Sequence, residues 1–150
     1  MSSMEFRPLA MAMLLLGLWA AACNSNHNGY DDESNARELS ELETLMGAKF
    51  PADAKIIYFD TEDRDNPVVY RYIICSQRSP EFSGSSARKM LADSSVAVLK
   101  KIPGIRKLGK LTDKFTYTYE GNYKGGEWRA FQTIFETGSY LDVEHFSFKQ

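Results

Sequence analysis

The sequence predicts an α+β domain, with an antiparallel sheet of about five strands and two helices in the order α-β-β-α-β-β-β. Two observations lead to this prediction. Five runs rich in β-branched and aromatic residues have the length of strands, and short glycine-bearing turns separate the last three. Two further stretches place apolar residues at helical spacing. We expect both helices to pack on one face of the sheet.

The first helix is predicted over residues 34–46, with Ser34 as its N-cap and Gly47 after its last turn. Its apolar face comprises Leu39, Leu42, Leu45 and Met46. Pro51 prevents the helix from continuing. This apolar face is expected to pack into the core, and the alternative is a groove-binding face for a partner.

The second helix is predicted over residues 87–101, with Ser86 as its N-cap and Pro103-Gly104 ending it. Its expected buried positions are Ala87, Leu91, Ser94, Val98 and Ile102.

Two strands, at 55–59 and 68–75, are predicted to form a hairpin with an acidic loop. Three more, at 115–119, 128–136 and 140–148, are predicted to form an antiparallel meander, with a glycine-rich turn over 121–126 between the first two. The acids of the first loop raise the question of calcium, but their order differs from a calcium-binding loop. An ordinary solvated turn is therefore favoured.

The amino-terminal residues have the pattern of an export signal. Residues 9–22 are apolar or small throughout and follow a single basic side chain, Arg7. Fourteen helical residues reach about 21 Å, which is short of the roughly 30 Å hydrocarbon core of a bilayer. This length is typical of the apolar region of a signal peptide and too short for a spanning helix.

The end of this run, Ala20-Ala21-Ala22-Cys23, resembles the lipobox of bacterial lipoproteins, whose common form is Leu-Ala-Gly-Cys. The sequence departs from that form at Ala20, where leucine is usual. The resemblance implies that Cys23 receives a diacylglycerol, that the bond before it is cut, and that fatty acids such as palmitate anchor the product. Because Ala20-Ala21-Ala22 also fits an ordinary secretory cleavage site, release of a soluble protein beginning at Cys23 is the alternative.

These features divide the chain into a lipoprotein signal peptide (1–22), a flexible polar tether (23–34) and one globular domain (35–150). The resemblance implies a location in the bacterial envelope, outside the cytoplasm. Asn24, in place of aspartate after the cysteine, favours the outer membrane over the inner one if the cell is Gram-negative.

Charge and motifs exclude several function classes. The formal net charge is −2, and removal of residues 1–22 leaves it unchanged because Glu5 and Arg7 cancel, so nucleic-acid binding is not expected. No phosphate-binding loop, zinc motif or nucleophile elbow occurs, so neither a cofactor nor a metal is expected. His145 is the single candidate base of the domain, and on an alternating strand its neighbours Asp142 and Glu144 are expected to point to the other face. A pair with Cys75 would need their strands to adjoin.

Cys75 lies in a strand-like run and is predicted to be a small buried apolar residue. A reactive thiol or an intermolecular disulfide is the alternative.

A lysine-rich segment is the strongest local charge asymmetry. Six basic residues stand within residues 100–114, where Asp113 is the single acid. The candidates for contact with an anionic surface are Lys100, Lys101, Arg106, Lys107 and Lys110, followed by Lys114. Membrane headgroups or cell-wall polymers would attract them. The simpler interpretation for Lys100 and Lys101 is their favourable interaction with the helix dipole.

These observations favour a non-enzymatic binding or structural module, tethered to a membrane and contacting an envelope protein or cell-wall polymer. Tyrosines and tryptophans exceed what one sheet face would bury, so an exposed aromatic face or a sheet covered on both sides is expected. The alternatives are an envelope enzyme of unknown substrate and an inhibitor or immunity-type protein.

Overall fold

The computed structural model describes residues 31–84, 86–105 and 107–149 and shows an α+β arrangement. The predicted signal peptide, Cys23 and Arg106 lie outside these residues. The helices are α1 (Asp32–Met46) and α2 (Asp93–Lys100). The strands are β1 (Ala48–Lys49), β2 (Lys55–Asp63), β3 (Val68–Ser76), β4 (Glu81–Phe82), β5 (Arg88–Leu91), β6 (Phe115–Tyr123), β7 (Gly126–Phe135) and β8 (Gly138–Ser147).

The main sheet is antiparallel and has six strands in the order β2-β3-β8-β7-β6-β5. The predicted hairpin (β2–β3) and the predicted meander (β6–β7–β8) are confirmed, and pairing of β3 with β8 joins them. The prediction of about five strands is too low, because β5 adds a sixth strand beside β6. A separate two-stranded sheet pairs β1 with β4.

Helix α1 begins two residues earlier than predicted. Asp31 is the N-cap, because its side chain accepts a hydrogen bond of 2.7 Å from the backbone N–H of Ser34. Gly47 ends the helix in the left-handed conformation at φ 60°, as predicted from its position. Leu39, Leu42 and Met46 are buried against the sheet, which confirms the predicted core face.

The second helix differs most from its prediction. Residues 88–91 form the edge strand β5, and α2 covers only the eight residues 93–100. Leu91, expected inside, is 61% exposed, whereas Leu99 and Ile102 are buried. The physical reason is the pairing of β5 with β6 at four residue positions. Without β5, the outer backbone N–H and C=O groups of β6 would form an unpaired sheet edge.

The two helices lie on opposite faces of the sheet, which contradicts the expectation of one shared face. Helix α1 packs in a cluster with Ile74, and Leu99 of α2 packs in a second cluster with Ile73. Since neighbouring residues of a strand point to opposite faces, these two clusters lie on the two sides of β3. We call the α1 side face A and the α2 side face B.

The sheet also has two distinguishable ends. One end carries the β7–β8 turn at residues 136–137, and we call it the β7–β8 end. The other carries the β6–β7 turn at residues 124–125 and the β2–β3 turn, and we call it the β6–β7 end. Lys124 and Gly125 have φ of 45° and 77°, the positive values that a two-residue type I′ turn needs. Within the described part of the chain, no helix has the length and apolar character to cross a membrane.

Candidate functional site

The structure separates the two residues that carried the enzymatic hypothesis. His145 pairs with Tyr70 across β3 and β8, whereas Cys75 pairs with Tyr140 near the opposite end of the same strands. Cys75 lies in the face B cluster and is completely buried, as predicted. Cys75 and His145 therefore lie five residue pairs apart along β3 and β8, and their side chains are on opposite faces of the sheet.

His145 lies on face A at the β6–β7 end. Its neighbours across the sheet are Tyr70 and Trp128, and the ring centroids of Tyr70 and His145 are 5.8 Å apart. Burial lowers the pKa of His145, because the charged imidazolium loses hydration. The imidazole is therefore neutral at pH 7, able to donate one hydrogen bond and accept another.

The acids beside His145 in the sequence point away from it, as predicted. Asp142 lies on face B and binds the guanidinium of Arg71 through two hydrogen bonds of 2.8 and 3.0 Å. Glu144 pairs with Arg71 on the same face. Neither carboxylate can therefore orient the imidazole as a general base would require.

A pocket of about 260 Å³ lies between α1 and the β6–β7 end of face A, and His145 lines it. Its volume is just below the roughly 300 Å³ at which small-molecule sites usually begin. Helix α1 contributes Glu38, Glu41, Leu42 and Leu45. The sheet and its flanking segments contribute Tyr72, Tyr123, Lys124, Gly125, Gly126, Ser147 and Phe148.

Two glycines create room for the rings of this region. A Cβ atom on Gly126 would lie 3.1 Å from Nε2 of His145 and 3.0 Å from the carbonyl oxygen of Phe146. A Cβ atom on Gly121 would lie 2.8 Å from the indole of Trp128. The sequence predicted a glycine-rich turn over 121–126, but only residues 124–125 form the turn, and these two glycines lie in the strands.

The lining of the pocket combines an apolar floor with charged groups. Leu42 and Tyr72 are buried, whereas Glu41 and Lys124 are exposed and Glu38 is half-buried. With His145 neutral, two carboxylates and one ammonium give the pocket a net charge of about −1. Such a lining accepts an amine or guanidinium group attached to an apolar body.

The sequence identified His145 but missed Glu38, Glu41 and Lys124. The glutamates had the pattern of a solvated side of a helix, and Lys124 had the pattern of a hairpin turn. Nothing in the sequence placed α1 beside the β6–β7 turn, because strand order and helix position are tertiary features.

The lysine-rich segment lies apart from this pocket. Lys100, Lys101, Lys107, Lys110 and Lys114 are all exposed. The sixth member of the predicted set, Arg106, is outside the described residues. Asp113, the one acid of this segment, accepts hydrogen bonds from the hydroxyl of Tyr117 and from the backbone N–H of Phe115, and these hydrogen bonds lower its pKa.

The aromatic surplus is divided between the two faces. Trp128 and Tyr140 are buried at 4% and 2% exposure, on face A and face B respectively. Phe82 of β4 stacks on Tyr119 with ring centroids 3.8 Å apart. The sheet is therefore covered on both sides over much of its area, rather than presenting one aromatic face.

The charged side chains of the acidic turn after β2 bind other groups of the same turn. Arg64 binds Glu62 at 2.8 Å, and the backbone N–H of Asp65 donates to Asp63. Among the residues that the structure describes, no group of three or more histidines, cysteines or acids could hold a metal ion.

Comparison of the chain with protein-family models, with curated proteins and with solved structures gives no match.

Proposed function

We propose that this protein is a bacterial envelope lipoprotein whose domain is a non-enzymatic binding module, held at a membrane through lipid on Cys23. The observation that carries the proposal is the sequence Ala20-Ala21-Ala22-Cys23 at the end of a fourteen-residue apolar run. Two or more acyl chains, each worth about 0.8 kcal/mol per buried CH₂ group, hold a protein stably at a bilayer.

The pocket between α1 and the β6–β7 turn supports the binding part of the proposal. It is concave, has an apolar floor and carries carboxylates on one wall. Asp142 and Glu144, the acids of β8, lie on the face opposite to its imidazole, and the acids that share the pocket with it are Glu38 and Glu41 of α1. The arrangement therefore suits recognition of a partner, an envelope protein or a cell-wall polymer that presents an amine or guanidinium group.

In-cell photo-crosslinking tests this proposal. A benzoylphenylalanine at position 148 lies at the rim of the pocket, where Phe148 is 43% exposed. The matched control replaces Phe146, which lies on face B beneath Arg129. Each probe is introduced into the natural chain and into the Cys23→Ser chain, which cannot receive lipid.

We expect one defined adduct from position 148 of the natural chain, weaker adduct formation from the Cys23→Ser chain, and none from position 146. A Glu38→Gln/Glu41→Gln variant should reduce the adduct, since it removes both carboxylates from the pocket. Equal adducts from both positions, or none from either, would contradict a binding role for the pocket.

A further inference from the structure

We propose that the lysine-rich segment forms a second, non-covalent contact with anionic lipid headgroups, so that the β7–β8 end of the domain rests on the membrane and the pocket faces away from it. This inference rests on the proposed lipid anchor. It assigns an orientation and a lipid class that the anchor alone does not determine.

The first step is the position of the tether attachment. The side chain of Asn35, in the first turn of α1, accepts a 2.9 Å hydrogen bond from the backbone N–H of Ile56. It also donates a 3.2 Å hydrogen bond to the carbonyl of Ala54. The start of α1 is therefore fixed beside the first residues of β2.

The second step is that the start of β2 belongs to the β7–β8 end. Lys55 pairs with Cys75, and Ser76, the next residue, pairs with Ser139 beside the β7–β8 turn. The lysine-rich segment reaches the same end, because Glu136 donates its backbone N–H to the carbonyl of Lys110 at 2.8 Å. The tether attachment and the lysines therefore share one end of the sheet.

The third step is the reach of the tether. Residues 24–31 number eight and span at most about 28 Å when fully extended. Strand β8 has ten residues, and a strand of that length measures about 33 Å. If the β6–β7 end faced the lipid, the tether would have to span the length of the domain, which exceeds its contour. The β7–β8 end can reach the bilayer without any such extension.

The fourth step is the chemistry of the surface. The same part of the chain, residues 91–114, exposes apolar side chains as well as lysines: Leu91 is 61% exposed, and Val98 and Leu111 are each 38% exposed. Lysine beside exposed leucine and valine suits the headgroup region, where charged and apolar groups are both solvated. The five lysines exceed the acids near them, Asp93, Asp113 and Glu136. The other acids at this end are Asp31, Asp32 and Glu33 at the start of α1 on face A, and Asp53, which accepts a hydrogen bond from the backbone N–H of Gln77 just after β3.

Amine footprinting of the lipidated protein tests the orientation. The protein is placed in phosphatidylcholine nanodiscs with or without phosphatidylglycerol, treated with an acetylating reagent and digested. We expect acetylation of Lys101, Lys107 and Lys110 to fall several-fold when the anionic lipid is present. Lys124 and Lys149, at the opposite end, should react equally in both lipids. Unchanged reactivity of all these lysines, or protection of Lys124 instead, would overturn the orientation.

Vesicle binding of the full Cys23→Ser chain tests the charge contact independently of lipidation. Lys107→Gln/Lys110→Gln should weaken binding to phosphatidylglycerol vesicles about thirtyfold, since each lysine near an anionic surface contributes about 1 kcal/mol and about 1.4 kcal/mol is a factor of ten. Lys124→Gln/Lys149→Gln removes the same charge from the far end and should change binding less than twofold. Residues 1–22 are common to both variants, so their contribution cancels.

The two experiments separate failure of the inference from failure of the anchor. Equal binding of the two double variants would contradict the lipid contact, whether or not Cys23 carries lipid. If the natural chain proves to carry no lipid while the two double variants still differ in vesicle binding, the proposed anchor is contradicted and the lipid contact is supported. Pull-down with purified cell wall, but not with vesicles, would overturn the lipid assignment in favour of a polymer.

Discussion

The two ends of the main sheet differ in how they are covered. At the β7–β8 end both helices pack on β3, so that Ile73, Ile74 and Cys75 are each at most 1% exposed. At the β6–β7 end only α1 covers the sheet, and face B presents Arg71 and Asp142 to solvent at 28% and 13% side-chain exposure. The same strands are thus buried on two sides at one end and on one side at the other.

This difference indicates a division of roles. The end with the dense core lies beside the tether attachment and the lysines, and it holds the fold together. The other end carries the pocket and the half-buried His145, which is where the proposed partner would bind. Binding residues commonly lie on less densely packed parts that a rigid scaffold positions.

The largest effect is expected from paired phenylalanine substitutions on face B. Phe135, at 3% exposure, packs under α2 with its ring centroid 5.5 Å from that of Tyr140. Phe135→Ala should lower the free energy of unfolding by about 3 to 5 kcal/mol, through lost burial and an unfilled cavity.

Phe146→Ala is the control for that prediction, because Phe146 is half-buried on face B at the opposite end. Phe146→Ala should lower the free energy of unfolding by about 1 kcal/mol, since a partly exposed side chain loses less apolar burial when it is truncated. Urea unfolding followed by circular dichroism measures both values. Equal losses would show that the two ends contribute alike to stability.

A smaller effect is expected from the ion pair on the open part of face B. Asp142→Asn leaves Arg71 without its bidentate partner, although Glu144 remains close enough to interact with the guanidinium. We expect Asp142→Asn to lower the free energy of unfolding by about 1 to 2 kcal/mol, which lies between the values for breaking exposed and buried ion pairs. Glu62→Gln breaks the exposed Glu62–Arg64 pair and should leave the urea midpoint unchanged. A large effect of Glu62→Gln would contradict this ranking.

The smallest effect is a pH dependence from His145. Burial depresses its pKa in the folded state below the usual 6.5, so the unfolded chain binds a proton at higher pH than the folded chain does. The contribution of the neutral imidazole is fully present above pH 6.5 and is lost as the pH falls through the folded pKa.

We therefore expect the melting temperature to decline from pH 7 to pH 5, and His145→Gln to reduce that decline. His27, the other histidine of the sequence, serves as the control, because His27→Gln should leave the pH profile unaltered. An identical slope in the natural chain and in His145→Gln would contradict the assignment. Histidine resonances followed by NMR titration measure the pKa directly.

The sequence predicted what depends on local pattern. Runs rich in β-branched and aromatic residues located β2, β3 and the three strands of the meander, and Gly47 marked the end of α1. It also placed His145 and Asp142 on opposite faces, because side chains alternate strictly along a strand.

The errors arose where tertiary pairing overrides local preference. Arg88-Lys89-Met90-Leu91 continues the apolar spacing of a helix, yet it pairs with β6 as an edge strand. The Glu38 and Glu41 wall of the pocket could not be predicted, since it depends on where α1 crosses the sheet. Placement of the helices on opposite faces likewise depends on the long-range pairing of β3 with β8.

The intact mass of the protein solubilised from bacterial membranes tests the central claim most directly. Our account predicts a chain that begins at Cys23 and carries a thioether-linked diacylglycerol, with Cys23→Ser abolishing that mass. Because Cys23 and Cys75 are the two cysteines of the sequence, a disulfide between them is the chemical competitor of the thioether. An unlipidated chain, whether it begins at Cys23 or joins Cys23 to Cys75 in a bond that a reductant opens, would contradict the claim.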